Sequence, residues 1–321
     1  MMRRRQGSIL ILTLWITVAL AMLLSVCAFQ LHGTTRTVSC QRNLALVCVW
    51  AKGGRDRLVA ELWKKRRDRE LRLQGKIIGR WQVRPPLGAL DDPERLASPM
   101  TLSSMPFEEA WQMVKLDENA KRPSWDTDWI LVTVSSEEAK LPLNKMKQAA
   151  DWQKIPGLTT NQRQALMKAV KNQPYSHPDE LFLRPRGLDP RLLDPHNKSS
   201  LLNILTCQST GKLCINLTNR KLLAMLPGVD RDCAREFGER LEKAREDTSA
   251  WFRNIEEIRH VIGVTPQLYK ELSKRLCIIP QTYRVTAVAC RRGILARSSM
   301  LVRIDAAGKD MKLIEREGDH R

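Results

Sequence analysis

The chain has 321 residues, 43% of them hydrophobic, enough to bury the core of one large or two ordinary domains, which excludes a chain too poor in apolar residues to fold. Its formal net charge of +19 raises the question of an acidic partner such as nucleic acid. The eight cysteines include no C-x-x-C pair and the five histidines are scattered, which excludes the usual zinc spacings.

The first element is an apolar run. From Ser8 to Leu31 there are 24 residues without a charge. About 20 helical residues cross a bilayer core, whereas the apolar part of a secretory signal is about 7 to 15 residues long. The run is therefore long enough to span. Arg3, Arg4 and Arg5 ahead of it favour a cytoplasmic N-terminus, with the remainder beyond the inner membrane. Three fates are open. Val26-Cys27-Ala28 is a small-residue site for removal after Ala28. Leu24-Ser25-Val26-Cys27 faintly suggests a lipoprotein site, which the bulk of Val26 disfavours. The third is a prepilin-type leader, cut between Gly7 and Ser8 with the helix retained.

Residues 36 to 73 continue a helical pattern, with Leu44, Val47, Cys48, Ala51, Leu58, Val59 and Leu62 at steps of three and four. Gly53-Gly54 predicts a kink or break, each glycine costing roughly 1 kcal/mol relative to alanine. The positive stretch Lys64 to Arg69 lies in this helix, and Gln74-Gly75 ends it. The segment "KIIGRWQVRPP" reads as a short strand, and residues 87 to 128 as loop with a short helix around Phe107–Val114. "WILVTVSS", Trp129–Ser136, is β-branched and apolar, a core strand. The adjacent pair Glu137-Glu138 reads as a solvated turn rather than an acid pair for catalysis, since neighbours on a strand face opposite ways.

From there the chain repeats itself. "AKLPLN" (Ala139–Asn144) leads to "KIPGL", and "GKLCIN" (Gly211–Asn216) leads to "MLPGV". "RGLDPRLL" and "IGVTPQLY" follow in turn. Lys140 to Lys212, Gly157 to Gly228 and Gly187 to Gly263 are offsets of 72, 71 and 76, which argues for two copies of a helical unit of roughly 70 residues. In "LPGV" Pro227 stops one helix, Gly228 permits a positive-φ turn, Leu226 and Val229 staple the pair, and Asp230 caps the next helix. Pro156 and Gly157 do the same in the first copy. In "GVTP" Thr265 caps and Pro266 takes the first helical position. Such helix-hairpin-helix units can offer backbone N–H groups to DNA phosphates. Here Thr159 and Asp230 stand where a DNA-binding hairpin has a second glycine, and an aspartate there repels phosphate. The hairpins therefore read as helix packing rather than nucleic-acid binding. Cys207 and Cys214 could close a small disulfide loop in an oxidising compartment. After Pro280, "TYRVTAVAC" alternates, Arg291-Arg292-Gly293 turns, "ILARSSMLVRID" alternates back and "MKLIERE" follows, a three-stranded antiparallel meander.

Taken together, Arg5-Gln6-Gly7 before an apolar helix, the "AKLPLN" and "GKLCIN" segments, the "IPGL" and "LPGV" hairpins and the terminal meander resemble the general secretion pathway protein K family, the minor pseudopilins K of type II secretion systems. The resemblance covers nearly the whole chain and is weak over residues 84–128. It implies an α+β, type IV pilin-like fold: a long N-terminal helix on an antiparallel sheet, with a large helical insert carrying two helix-hairpin-helix-like repeats. The implied segments are a leader 1–7, a transmembrane part 8–31, a periplasmic continuation of the helix 32–74, first strands and loops 75–138, an insert 139–279 made of repeats 139–210 and 211–279, and C-terminal strands 280–321. It implies cleavage by prepilin peptidase between Gly7 and Ser8, partners among minor pseudopilins of the I and J types, and contact with secreted substrates or the secretin. Ordinary pilins carry glutamate at the fifth mature position; here that position is Leu12. Ser8 is polar where the family usually has an apolar first residue. Some relatives of this kind bind calcium, for which no ligands are assignable in this sequence.

The competing expectation from a different class is a membrane-anchored helix-hairpin-helix protein that binds DNA during uptake, which would use the charge of +19 but leaves the meander and the glycine cleavage site unexplained. No Ser/His/Asp or Cys/His arrangement, phosphate-binding glycine loop or metal cluster is legible, so no enzyme is expected.

Overall fold

The structure, a computed structural model, describes residues 3–83, 113–116, 127–177, 180–181, 183, 189–193 and 200–317, with side chains of the first helix described from Thr13 onward. That helix, α1 (Arg3–Lys65), is 63 residues long and ends with Lys64 and Lys65, cations that suit the negative end of the helix dipole. It is continuous through Gly53-Gly54, so the expected break is absent. The reason is tertiary. A Cβ on Gly54 would sit 2.8 Å from Ile130 Cγ2 and 3.2 Å from Val132 Cγ2, so the glycine lets the helix lie close on the sheet. Helix α2 (Arg69–Leu73) follows, capped by Asp68, which accepts from Leu71 N at 3.0 Å.

The strands β1 (Gly79–Val83), β2 (Met113–Leu116) and β3 (Trp129–Ser136) come next. Met113 and Val114 thus belong to a strand, not to the helix expected over Phe107–Val114; the earlier residues of that span lie outside the described residues. Towards the other end of the chain, after the four short strands of the insert described below, lie β8 (Thr282–Arg291), β9 (Ile294–Ile304) and β10 (Met311–Glu317), the expected meander. All six form one sheet in the order β10-β9-β8-β3-β1-β2, antiparallel throughout. Arg292 (φ 48°) and Gly293 (φ 77°) make the two-residue turn between β8 and β9, whose positive φ values match the strand twist. One face of the sheet, with Val132, Tyr283, Val285, Ala287, Ala289 and Val302, packs on Val47, Trp50, Ala51, Leu58 and Leu62 of α1.

The insert leaves after Ser136 and returns at Tyr283, and these two residues are themselves partners across the β3–β8 ladder. Its first part holds β4 (Leu141–Pro142), α3 (Ala149–Gln153), α4 (Thr160–Asn172), α5 (Leu201–Ile204) and β5 (Leu205–Thr206). Its second holds β6 (Leu213–Cys214), α6 (Arg220–Ala224), α7 (Arg231–Glu246), α8 (Pro266–Arg275) and β7 (Leu276–Cys277). Each part is closed by a two-residue parallel ladder, Leu141 opposite Leu205 in one and Leu213 opposite Leu276 in the other. Each also has an asparagine that pins its ends. Asn144 Nδ2 donates to Tyr175 O at 2.8 Å and its Oδ1 accepts from Tyr175 N at 2.8 Å. Asn216 Nδ2 donates to Phe252 O at 2.9 Å and to Ile278 O at 3.2 Å, and its Oδ1 accepts from Phe252 N at 3.2 Å. A single apolar core, with Trp152, Leu166, Phe237 and Phe252 at its centre, runs through both parts.

Candidate functional site

Two regions of the molecule are built for contact or for transmission. One is the outer half of α1. From Thr13 to Gln41 no residue of this helix is buried, and Phe29 is 81% exposed. Among the described residues this is the one helix long and apolar enough to cross a bilayer. Polar side chains along it bond to their own helix: Thr17 Oγ1 donates to Leu14 O at 2.8 Å and Ser25 Oγ to Ala21 O at 2.8 Å, so neither would bring an unpaired hydroxyl into a bilayer. Charge returns only at Arg36, and packing on the sheet begins near Val47. Gly7, Ser8 and Leu12 lie on the backbone of the same helix, in the part whose side chains are not described.

The other region is the weld between sheet and insert. Glu137 and Glu138 form a 3-10 turn directly after β3 and are buried, 2% and 0% exposed, which corrects the expectation of a solvated turn. Glu137 Oε1 accepts from Arg284 Nε on β8 at 2.6 Å, and Oε2 accepts from the Thr206 hydroxyl on β5. Arg284 also donates to Gln208 Oε1. Glu138 accepts from Thr282 N at 2.9 Å and Thr210 N at 3.2 Å. Burial pushes the Glu137 carboxyl up, but Arg284, Lys140 and the Thr206 hydrogen bond outweigh it and hold the group below the usual carboxylate range. Arg72 of α2, 2% exposed, closes the other side: it donates to the carbonyls of Pro280 at 3.1 Å, Asp305 at 2.9 Å and Ala306 at 3.3 Å. Helix, sheet and insert thus meet in one hydrogen-bonded joint.

The tips of the two hairpins lie at the surface, with Gly157 and Gly228 exposed and the apolar residues flanking them buried. Gly157 and Gly228 both have φ +79°, as the turn requires, and each has one leucine close by: a Cβ there would lie 2.7 Å from Leu192 Cδ2 and 2.9 Å from Leu268 Cδ1. Leu226 and Val229 beside the second turn are buried, and Asp230 accepts from Cys233 N at 2.7 Å as the cap of α7. Lys154, next to Pro156, donates to Leu226 O at 3.1 Å and to Val229 O, and Arg275 of α8 pairs with Asp151 of α3 at 2.6 Å. Lys154 and the Asp151–Arg275 pair thus tie the two parts of the insert together beside the turns. Sequence spacing missed this coupling because Lys154 and Arg275 carry no local pattern.

Beside the Cys207–Cys214 loop suggested by spacing, the fold gives Cys214 a second cysteine neighbour. Cys214 on β6 stands opposite Cys277 on β7. Among the described residues no group of three or more His, Cys, Asp or Glu side chains is placed to hold a metal ion.

No protein-family model matches the chain, and no curated protein matches it. Among solved structures it is similar to a chain of the crystal structure of the GspK–GspI–GspJ complex from the type 2 secretion system of enterotoxigenic Escherichia coli. The TM-score is 0.51 with 11% sequence identity over 89% of this chain and 99% of that chain. At that identity the likeness bears on the fold alone, a long N-terminal helix on an antiparallel sheet.

Proposed function

We propose that this chain is a minor pseudopilin of the K type, seated at the tip of the type II secretion pseudopilus, where it helps to start the filament that drives folded proteins across the outer membrane. The observation that carries the reading is the combination of an exposed apolar stem with a pilin-like head whose likeness to the secretion-complex chain spans 89% of the sequence. In this reading the stem stores the subunit in the inner membrane, and prepilin peptidase licenses it by cutting between Gly7 and Ser8. The two parts of the insert are a duplicated helix-hairpin-helix unit that caps the filament and meets minor pseudopilins of the I and J types, with secreted substrates or the secretin beyond.

Leu12 supports a terminal position. A carboxylate in lipid without a partner costs roughly 3 kcal/mol, so pilins bury one only to neutralise the terminal ammonium of a neighbour. A subunit with nothing above it has no such ammonium to meet. Leu12→Glu is expected to impair tip assembly, and unchanged assembly would remove this support. The reading as a whole is tested by N-terminal sequencing of the mature protein from cells with and without the peptidase. The expected first residue is Ser8 with the enzyme and Met1 without it. A chain that starts beyond residue 28 and is released into the periplasm overturns the proposal.

A further inference from the structure

Outside the stem and the weld, two cysteines meet across one of the shortest ladders of the fold. Strands β6 and β7 pair in parallel, with Leu213 opposite Leu276 and Cys214 opposite Cys277. Neighbouring strands lie about 4.7–4.9 Å apart, and residues in register point to the same face. A disulfide spans a Cα separation of roughly 4.4–6.8 Å, so the ladder brings the two side chains to bonding distance without moving the backbone. The thiols are within hydrogen-bonding reach of each other, and Cys214 Sγ also donates to Ile278 O at 3.2 Å. Cys214 is fully buried. Cys277 is half-buried and lines an open surface groove beside Arg253, Asn254 and Gln281. One sulfur can be reached from solvent, and the other only through it.

We propose that Cys214 and Cys277 form an intramolecular disulfide that ties the end of the second helical part to its beginning. The bond arises by thiol–disulfide exchange with a small or protein disulfide as oxidant. Cys277, as its thiolate, attacks one sulfur of the donor, breaks its S–S bond and releases one thiol. Cys214 then loses its proton, attacks the Cys277 sulfur of the mixed disulfide and expels the second thiol. Two S–H bonds are lost and one S–S bond is formed, while the donor takes up two electrons and two protons. Burial pushes the Cys214 thiol well up, which makes Cys277 the natural site of first attack. The closed loop runs from Cys214 to Cys277 and contains α6, α7 and α8, so the link narrows the unfolded ensemble of that whole part. The pairing stands on geometry alone. Only the supply of oxidant rests on the proposed placement of the head beyond the inner membrane.

The test uses the full chain in detergent micelles, equilibrated with oxidised and with reduced glutathione, quenched by alkylation and mapped by mass spectrometry. The expected result is one peptide pair joined through Cys214 and Cys277, a higher thermal midpoint for the oxidised protein, and loss of both in Cys277→Ser while Cys207→Ser keeps them. Alkylation of both Cys214 and Cys277 after oxidation, or a Cys207–Cys214 link instead, overturns the proposal, and this mapping on the unaltered chain stands however the variants fold. Protein isolated from cells as free thiols that nonetheless bonds in glutathione counts against the periplasmic placement of the head, with the pairing intact.

Discussion

Glu137 and Arg284 lie 147 positions apart in the chain and 2.6 Å apart in the fold, at the point where the sheet hands the backbone to the insert. Their side chains are 3% and 15% exposed, so the pair is largely removed from water. Replacing one partner of such a pair leaves the other as an uncompensated buried charge. Arg284→Met is therefore expected to destabilise the protein by about 3–5 kcal/mol, read from urea unfolding. The acid response follows from the same group. Because its folded-state pKa lies below the unfolded value, Glu137 contributes stability that is present above about pH 4.3 and is lost as pH falls through the folded pKa. Unfolding free energies between neutral pH and pH 3 should show this fall in the native chain and a shallower one in Glu137→Gln. Parallel slopes in the two proteins would show that the charge is not the source.

At the scale of elements, α1 is one rod because the sheet accepts it as one. Glycine is poor in an isolated helix, which is why Gly53-Gly54 reads as a break, yet at Gly54 the helix lies close against the side chains of strand β3. Two substitutions in the same helix should differ in sign. Gly54→Ala pushes a methyl into Ile130 and Val132 and is expected to cost about 1–3 kcal/mol. Gly33→Ala meets nothing within 4 Å and is expected to raise stability by up to about 1 kcal/mol, both read from thermal unfolding of the detergent-solubilised chain. This contrast shows what was legible in sequence. The alternation of Tyr283, Val285, Ala287 and Ala289 predicts one buried face, and all four are buried there, because that signal is local and periodic. The cap at Asp230 and the turn glycines Gly157 and Gly228 are local in the same way. The burial of Glu137 was not legible, since Thr206 and Arg284 come from distant strands. Strands of two residues, such as β6 and β7, are too short to carry a period, so the meeting of Cys214 with Cys277 was hidden behind the nearer pair Cys207 and Cys214.

At the scale of the whole molecule, the backbone enters and leaves the insert at a single doorway. Ser136 and Tyr283 are Cα partners in the ladder, so the strands they end need no insert to find each other. Joining Ser136 to Tyr283 through an Asn-Gly turn supplies a connection of the length that antiparallel neighbours prefer. The shortened chain loses the Glu137–Arg284 pair and exposes Leu73, which packs into the core of the insert. It keeps the sheet face that covers α1, and Arg72 keeps the carbonyls of Asp305 and Ala306. The expected outcome is a head that still unfolds cooperatively, at a lower midpoint than the full chain, as followed by circular dichroism against temperature. The proposed cleavage between Gly7 and Ser8 should be unchanged in cells that hold the peptidase, because that peptide bond lies at the opposite end of α1 from the doorway. Broad, non-cooperative melting would show instead that sheet and insert form one folding unit, joined through the weld as strongly as either is held within itself.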